Sequence, residues 1–278
     1  MGKTKDKMYG FKFLKAVLGG IFKLYYSPKF IGKENIPKDG PILVVGNHVH
    51  IMDQCLPILM TKRPVHYMAK KEYFDDKKVA WFFKLAGCIP VDRSIKDSNA
   101  TGKALDVLKS GNALGLFPEG TRNGLKIDRI NSLYDKCKKK YPDYDSFVKS
   151  MKKQKASYIN YLEELVDTKV IKKNDMFSNI TRSKDYLVEL IDKKIITEDD
   201  YYYHILLPFK FGAVSMAKKT DACLVPFAIT GEYKFRSKDL VVRIGKPIKV
   251  EDDLAVANEK LRNEISNLMK QSLEKNEK

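Results

Sequence analysis

An α/β domain, with a mostly parallel central sheet flanked by helices, is the fold this chain predicts, on three observations. Short apolar, β-branched runs alternate with amphipathic helical stretches in the order strand, polar loop, helix, strand. Polar and charged residues follow directly on those strands, at His48, Lys70, Arg93 and Arg122, which is where open α/β sheets gather their ligands. The 278 residues suffice for one sizeable core, or one core with a small satellite.

The elements follow in order. Residues 8–26 place Phe11, Leu14, Val17, Leu18, Ile21, Phe22 and Tyr25 at helical spacing, with Lys12, Lys15 and Lys23 among them. A basic amphipathic helix edged with aromatic residues suits the lipid headgroup plane; the plainer reading packs its apolar face on the domain. Lys15 inside the run argues against a secretory signal, and no stretch reaches the roughly eighteen apolar residues of a membrane span. Residues 42–45 read as a buried strand, and Gly46-Asn47 lets the backbone turn at its carboxyl end. A helix starts at Asp53, residues 65–68 form a second strand delivering Lys70 and Lys71, and residues 72–86 form one helix capped by Gly87. Residues 88–91 are extended, Ser98 or Asn99 caps a helix that stops at Gly111, and residues 113–117 are another strand.

Residues 123–205 break this pattern. They are Lys- and Tyr-rich, helical in period, and carry an internal repeat: residues 161–171 recur 25 positions later at 186–196, with Tyr, Leu, Glu, Leu, Asp, Lys and Ile in common. We read them as a helical insertion. The α/β pattern resumes with a helix through Lys219, strands at 223–229 and 240–244, and a closing amphipathic helix over 251–273. The predicted organisation is therefore a basic amphipathic helix (1–31), an α/β domain in two segments (32–122 and 206–278), and the insertion (123–205).

Charge narrows the partners. With 52 Lys and Arg against 35 Asp and Glu, the net charge of +17 calls for an anionic partner. Residues 1–122 hold 21 of the basic residues against 11 acidic ones, so the surplus lies in the half that contains His48. Cys55, Cys88, Cys137 and Cys223 have no metal-like spacing and read as free thiols in a reducing cytosol.

His48 and Asp53 are the candidate chemistry. Their spacing fits neither i+3 nor i+4 of one helix, so a turn must fold the carboxylate back onto the imidazole. An Asp on one ring nitrogen fixes the tautomer and leaves the other nitrogen free to take a proton. Arg93 and Arg122 offer planar forks for a phosphate, and Gly120 lets backbone N–H groups approach the same anion. As plainer alternatives, Arg93 pairs with Asp92, and Glu119 with Arg122, at the surface. His48 and His50 alternate on extended backbone as a metal pair would, but His66 and His204 are not in ligand-like spacing, so no metal is expected.

These residues fall in four ordered blocks: Asn47-His48-x4-Asp53, Ala86-Gly87-Cys88-Ile89-Pro90-Val91-Asp92-Arg93, Phe117-Pro118-Glu119-Gly120-Thr121-Arg122 and Val225-Pro226-Phe227-Ala228-Ile229. In them the chain resembles the glycerolipid acyltransferase family typified by 1-acylglycerol-3-phosphate acyltransferase, over about residues 11–122 and 206–250. The resemblance implies a glycerol-3-phosphate acyltransferase-like fold. It further implies acyl transfer from acyl-CoA or acyl carrier protein, as co-substrate, to the sn-2 hydroxyl of a lysophosphatidate, with neither metal nor resident cofactor. By the same resemblance His48 is the base and Asp53 its orienter. Arg93, Glu119, Gly120, Thr121 and Arg122 bind the acceptor phosphate together with Lys70, and Val225 and Pro226 lie on the acyl-chain side. The implied partners are lysophospholipid, acyl thioester and an anionic membrane surface, not nucleic acid, and the implied place is the cytoplasmic face of a membrane, peripheral or monotopic. Two departures stand out: more than eighty residues replace the family's short loop after Arg122, and His50 stands where a small polar residue is usual. The rival from another class is a non-catalytic basic module for anionic membrane or nucleic acid, which leaves His48-Asp53 unexplained.

Overall fold

The computed structural model describes residues 9–92, 94, 95, 97–123, 157–251 and 253–274, without the side chains of 272–274. Two compact units emerge, Met1–Gly120 with Phe209–Lys278, and Thr121–Pro208.

The first unit is built on a seven-stranded sheet in the order β1-β7-β6-β2-β5-β3-β4. Its strands are β1 (Lys29–Ile31), β2 (Ile42–Gly46), β3 (Val65–Lys70), β4 (Ile89–Val91), β5 (Ala113–Leu116), β6 (Cys223–Thr230) and β7 (Val241–Ile244). Every pairing is parallel except β6 with β7. The five strands β2 to β6 therefore run one way and end on one edge. All five residues of β2 are buried, because both faces of a largely parallel sheet are covered. Pro226 fits within β6 for a local reason. β7 ends at Ile244 opposite Phe227, so Pro226 lies just past the β6–β7 ladder, where its missing N–H breaks no regular pair and its carbonyl still accepts Gly245 N–H at 2.9 Å.

Helix α1 (Tyr9–Tyr26) packs one part of its apolar surface on the domain and leaves another part exposed. Phe11, Gly19 and Phe22 are buried, and a Cβ on Gly19 would stand 2.6 Å from Leu59, so the helix lies close against the domain. Its other side exposes Phe13, Ile21 and Leu24 by 60% or more. Among the described residues no helix is long and apolar enough to cross a membrane.

Two local expectations are corrected. The single helix over 72–86 is two, α3 (Glu72–Asp75) and α4 (Ala80–Leu85), because Asp76 turns extended and its Oδ1 accepts Lys78 N–H at 2.9 Å. Helix α5 (Ser98–Lys109) is capped by Asp97, whose side chain accepts Ala100 N–H at 2.8 Å, and not by Ser98 or Asn99. Strand β1 went unread. Helices α2 (Cys55–Met60), α10 (Gly212–Thr220) and α11 (Leu254–Glu274) complete this unit.

The second unit contains α6 (Ser157–Asp167), α7 (Lys173–Asn179), α8 (Ser183–Asp192) and α9 (Glu198–His204). The 25-residue repeat has a physical counterpart. Lys169 and Lys194, equivalent in the two copies, both adopt positive φ (64° and 56°) and end their helices. The next residues, Val170 and Ile195, donate to Leu165 and Leu190 at 2.8 and 2.9 Å. Lys172 and Thr197 then occupy the caps of α7 and α9, so each copy is a helix-turn-helix.

Candidate active site

The carboxyl end of β2 is fixed before any chemistry begins. The buried Asn47 side chain donates to Ile229 O at 2.9 Å and accepts Ile229 N–H at 2.7 Å, so it behaves as one further rung between β2 and β6. His48 N–H donates to Glu119 Oε1 at 2.8 Å, which ties the next residue to the loop after β5. The imidazole lies flat on Phe117, with centroids 4.2 Å apart and planes 16° off parallel, so the ring has little freedom to rotate.

The chain then turns, and Asp53 comes back under it. Its Oδ2 accepts Val49 N–H at 2.6 Å, His50 N–H at 2.7 Å and the His48 ring at Nδ1, 2.8 Å away. Its Oδ1 accepts the Tyr233 hydroxyl at 2.5 Å. Asp53 is wholly buried, and each of these donors offsets part of the cost of holding a carboxylate out of water. A carboxylate in such a ring of donors acts as an acceptor, so the imidazole proton sits on Nδ1 and Nε2 carries the lone pair. Burial, and then the nearby Asp53 charge, hold the Tyr233 phenol far above its ordinary pKa, so it stays a neutral donor. Burial pushes the Cys55 thiol up to about 11, with Asp53 adding to it, so Cys55 stays a neutral thiol at neutral pH.

The other expected residues are distributed as follows. Glu119 is buried and holds the His48 backbone, a position that suits a strut better than an anion ligand. Gly120 has φ +68°, but its own N–H donates to Phe117 O at 3.0 Å; its freedom serves the turn and leaves room for Lys210, whose Nζ would be 2.6 Å from a Cβ placed there. Lys70 is exposed at the carboxyl end of β3. Val225 and Pro226 are enclosed within the sheet at mid-strand, two and one register pairs before Gly46. Thr121 and Arg122 belong to the second unit, where Arg122 is exposed. Arg93 lies outside the described residues. His50 stacks on Tyr233 with centroids 4.2 Å apart, and its Nδ1 accepts Met52 N–H at 3.3 Å.

Two residues escaped the sequence reading. Tyr233 sits 180 positions from Asp53, and no local pattern marks it. Lys210 had a signal, as a lone cation in Phe209-Lys210-Phe211-Gly212 at the point where the α/β pattern resumes.

Fold and site together define an α/β protein with an oriented imidazole at the carboxyl ends of parallel strands, an arrangement able to accept a proton from a hydroxyl. Comparison with known proteins carries this one step further. The model of the family described as Acyltransferase matches residues 27–230, and the chain belongs to that family. It is similar to the 1-acyl-sn-glycerol-3-phosphate acyltransferase of Bacillus subtilis (strain 168), at 34% identity over 113 residues, covering 40% of this chain and 57% of that one. It is also similar to the enzyme of the same name from Borreliella burgdorferi, at 37% over 94 residues, covering 33% and 38%. The matches thus span about half or less of these relatives. Among solved structures, the crystal structure of the 1-acyl-sn-glycerophosphate (LPA) acyltransferase PlsC from Thermotoga maritima shares the fold, with a TM-score of 0.54 at 19% identity over 96% of this chain and 79% of that one.

Proposed function

We propose that this chain transfers a fatty acyl group from acyl-CoA or acyl carrier protein to the sn-2 hydroxyl of 1-acylglycerol 3-phosphate, giving phosphatidate. The observation that carries the reading is the contact of His48 Nδ1 with Asp53, which leaves Nε2 as the base. The names of the relatives supply the acceptor class. In this reaction Nε2 takes the hydroxyl proton as the oxygen attacks the thioester carbonyl. An O–C bond forms, the C–S bond breaks, and the imidazolium returns the proton to the departing thiolate. Asp53 stabilises the imidazolium in between. A thioester is already activated, so one base and good positioning suffice, with neither a metal nor a resident cofactor in the step.

The acceptor's phosphate is met by Lys210 beside Gly120 and by Lys70. Arg93, Thr121 and Arg122 are assigned to it by the family motif alone. The exposed apolar side of α1, interleaved with lysines, is proposed to rest on an anionic membrane at its cytoplasmic face, where acceptor and product reside.

The test is thiol release by purified protein against a panel of lysolipids and glycerol 3-phosphate, with both donor types, for wild type and His48→Ala. The proposal expects 1-acylglycerol 3-phosphate to be used best and His48→Ala to be inactive while folded and vesicle-bound. Preference for another acceptor overturns the substrate, and an active His48→Ala overturns the mechanism.

A further inference from the structure

Tyr233 lies on the loop after β6, and the function proposed above makes no use of it. Its hydroxyl reaches the one oxygen of Asp53 that His48 does not use, at 2.5 Å, so the carboxylate is gripped at both ends. The ring is gripped as well. It stacks on His50 at 4.2 Å and meets Tyr26 and Phe22 edge-on at 5.3 and 6.4 Å, both residues of α1. The loop itself is pinned to the same helix. Arg236 N–H donates to Tyr25 O at 2.8 Å, and Phe235 packs on Tyr25 with centroids 4.8 Å apart. A tyrosine so restrained is an expensive way to fill a core, since its hydroxyl must be satisfied, and here the satisfying group is the carboxylate behind the base.

We infer that Tyr233 is a positioning residue for acyl transfer: it acts through Asp53, fixing the carboxylate plane and drawing negative charge away from Oδ2, so that His48 is oriented without being made too basic. The inference rests on the proposed role of His48. The phenol donates throughout the working pH range, because burial and the Asp53 charge keep it neutral. With its hydroxyl removed, charge on Asp53 concentrates on Oδ2 and the imidazolium is held more tightly, so the acidic limb of the pH profile moves to higher pH. Among the described residues, the other titratable groups facing this cluster are Glu119, which holds the His48 backbone, His50, Cys55, Tyr26 and Tyr67. Of these, Cys55 and Tyr67 are held neutral by burial.

The test is the pH profile of kcat and KM for Tyr233→Phe, which loses one oxygen and keeps the ring. The expected result is a fall in kcat of about tenfold with KM little changed, and an acidic limb of the kcat profile displaced to higher pH. Site-specific replacement of Tyr233 by 3-fluorotyrosine, a stronger donor of nearly the same size, should displace that limb to lower pH and serves if the Phe variant folds poorly. Limbs that stay at the wild-type pH in both proteins overturn the inference. If His48→Ala is itself active, the fault lies in the base assignment; if it is inactive and the limbs do not move, the fault lies with Tyr233 alone.

Discussion

At the end of β2, the wholly buried Asp53 and the half-buried His48 are held by Glu119 and Tyr233 from the loops after β5 and β6, while Lys70 at the end of β3 and Lys210 beside the loop after β5 stand exposed. The difference follows from what each side must do. A base works only when its tautomer and direction are fixed beforehand, and a buried polar network fixes them because every member left unpaired is costly. A phosphate needs charge within reach, and a solvated ammonium on a flexible stem supplies that while tolerating some misplacement. Truncations should therefore strike kcat on the first side and KM on the second.

The largest effect is expected for His48→Ala, a loss of about 10³-fold or more in kcat with the unfolding midpoint near wild type, read by thiol release and thermal melting. Asp53→Asn should follow, with kcat down about 10²-fold. An amide offers one acceptor oxygen where the carboxylate offers two, so its N–H₂ must face either the Tyr233 hydroxyl or the donors of His48, Val49 and His50, and a drop in melting temperature should accompany the kinetic loss. Across the divide, Lys210→Ala should raise the KM for a phosphorylated acceptor about tenfold and leave kcat and melting unchanged. A kcat effect for Lys210→Ala equal to that for Asp53→Asn would erase the distinction.

The smallest effect sharpens the contrast with a cation that is half-buried. Burial, and then repulsion from Lys23 and Lys33, lower Lys15 to about 8, and its Nζ donates to Thr61 O. Above pH 8 folded Lys15 is neutral, while the unfolded chain keeps its proton to about 10.5, so folding releases a proton and this residue's contribution improves with rising pH. Lys15→Met should thus melt slightly higher than wild type at pH 7, with the gap closing between pH 8 and 10.5. A gap independent of pH would contradict the assignment.

How much of this was legible in the sequence follows the same divide. His48 and Asp53 are five residues apart, so one turn couples them, and the run of apolar residues before them betrays the strand. The sheet was legible wherever buried runs were long. β1, three residues at the edge of the sheet, has too little apolar pattern to read. The break at Asp76 and the cap at Asp97 turn on single side-chain bonds to nearby N–H groups, which compete with helix at a level that periodicity does not register. Tyr233 was out of reach altogether: its pairing with Asp53 exists only after β2 and β6 lie side by side in register. Glu119 belongs to the acceptor-binding block by family resemblance, and the motif carries no sign that its carboxylate also holds the His48 backbone N–H. The repeat at 161–171 and 186–196 was visible as sequence, and its positive-φ endings at Lys169 and Lys194 show that it preserves a way of turning as well as a composition.

The account depends on which nitrogen of His48 bears the proton. Nitrogen-15 shifts of histidine-labelled protein near pH 8, assigned with His48→Gln, read this directly. The account predicts a protonated Nδ1 and a bare Nε2; a proton on Nε2 with Nδ1 bare would mean that Asp53 does not hold the ring and that the proposed base has no free lone pair.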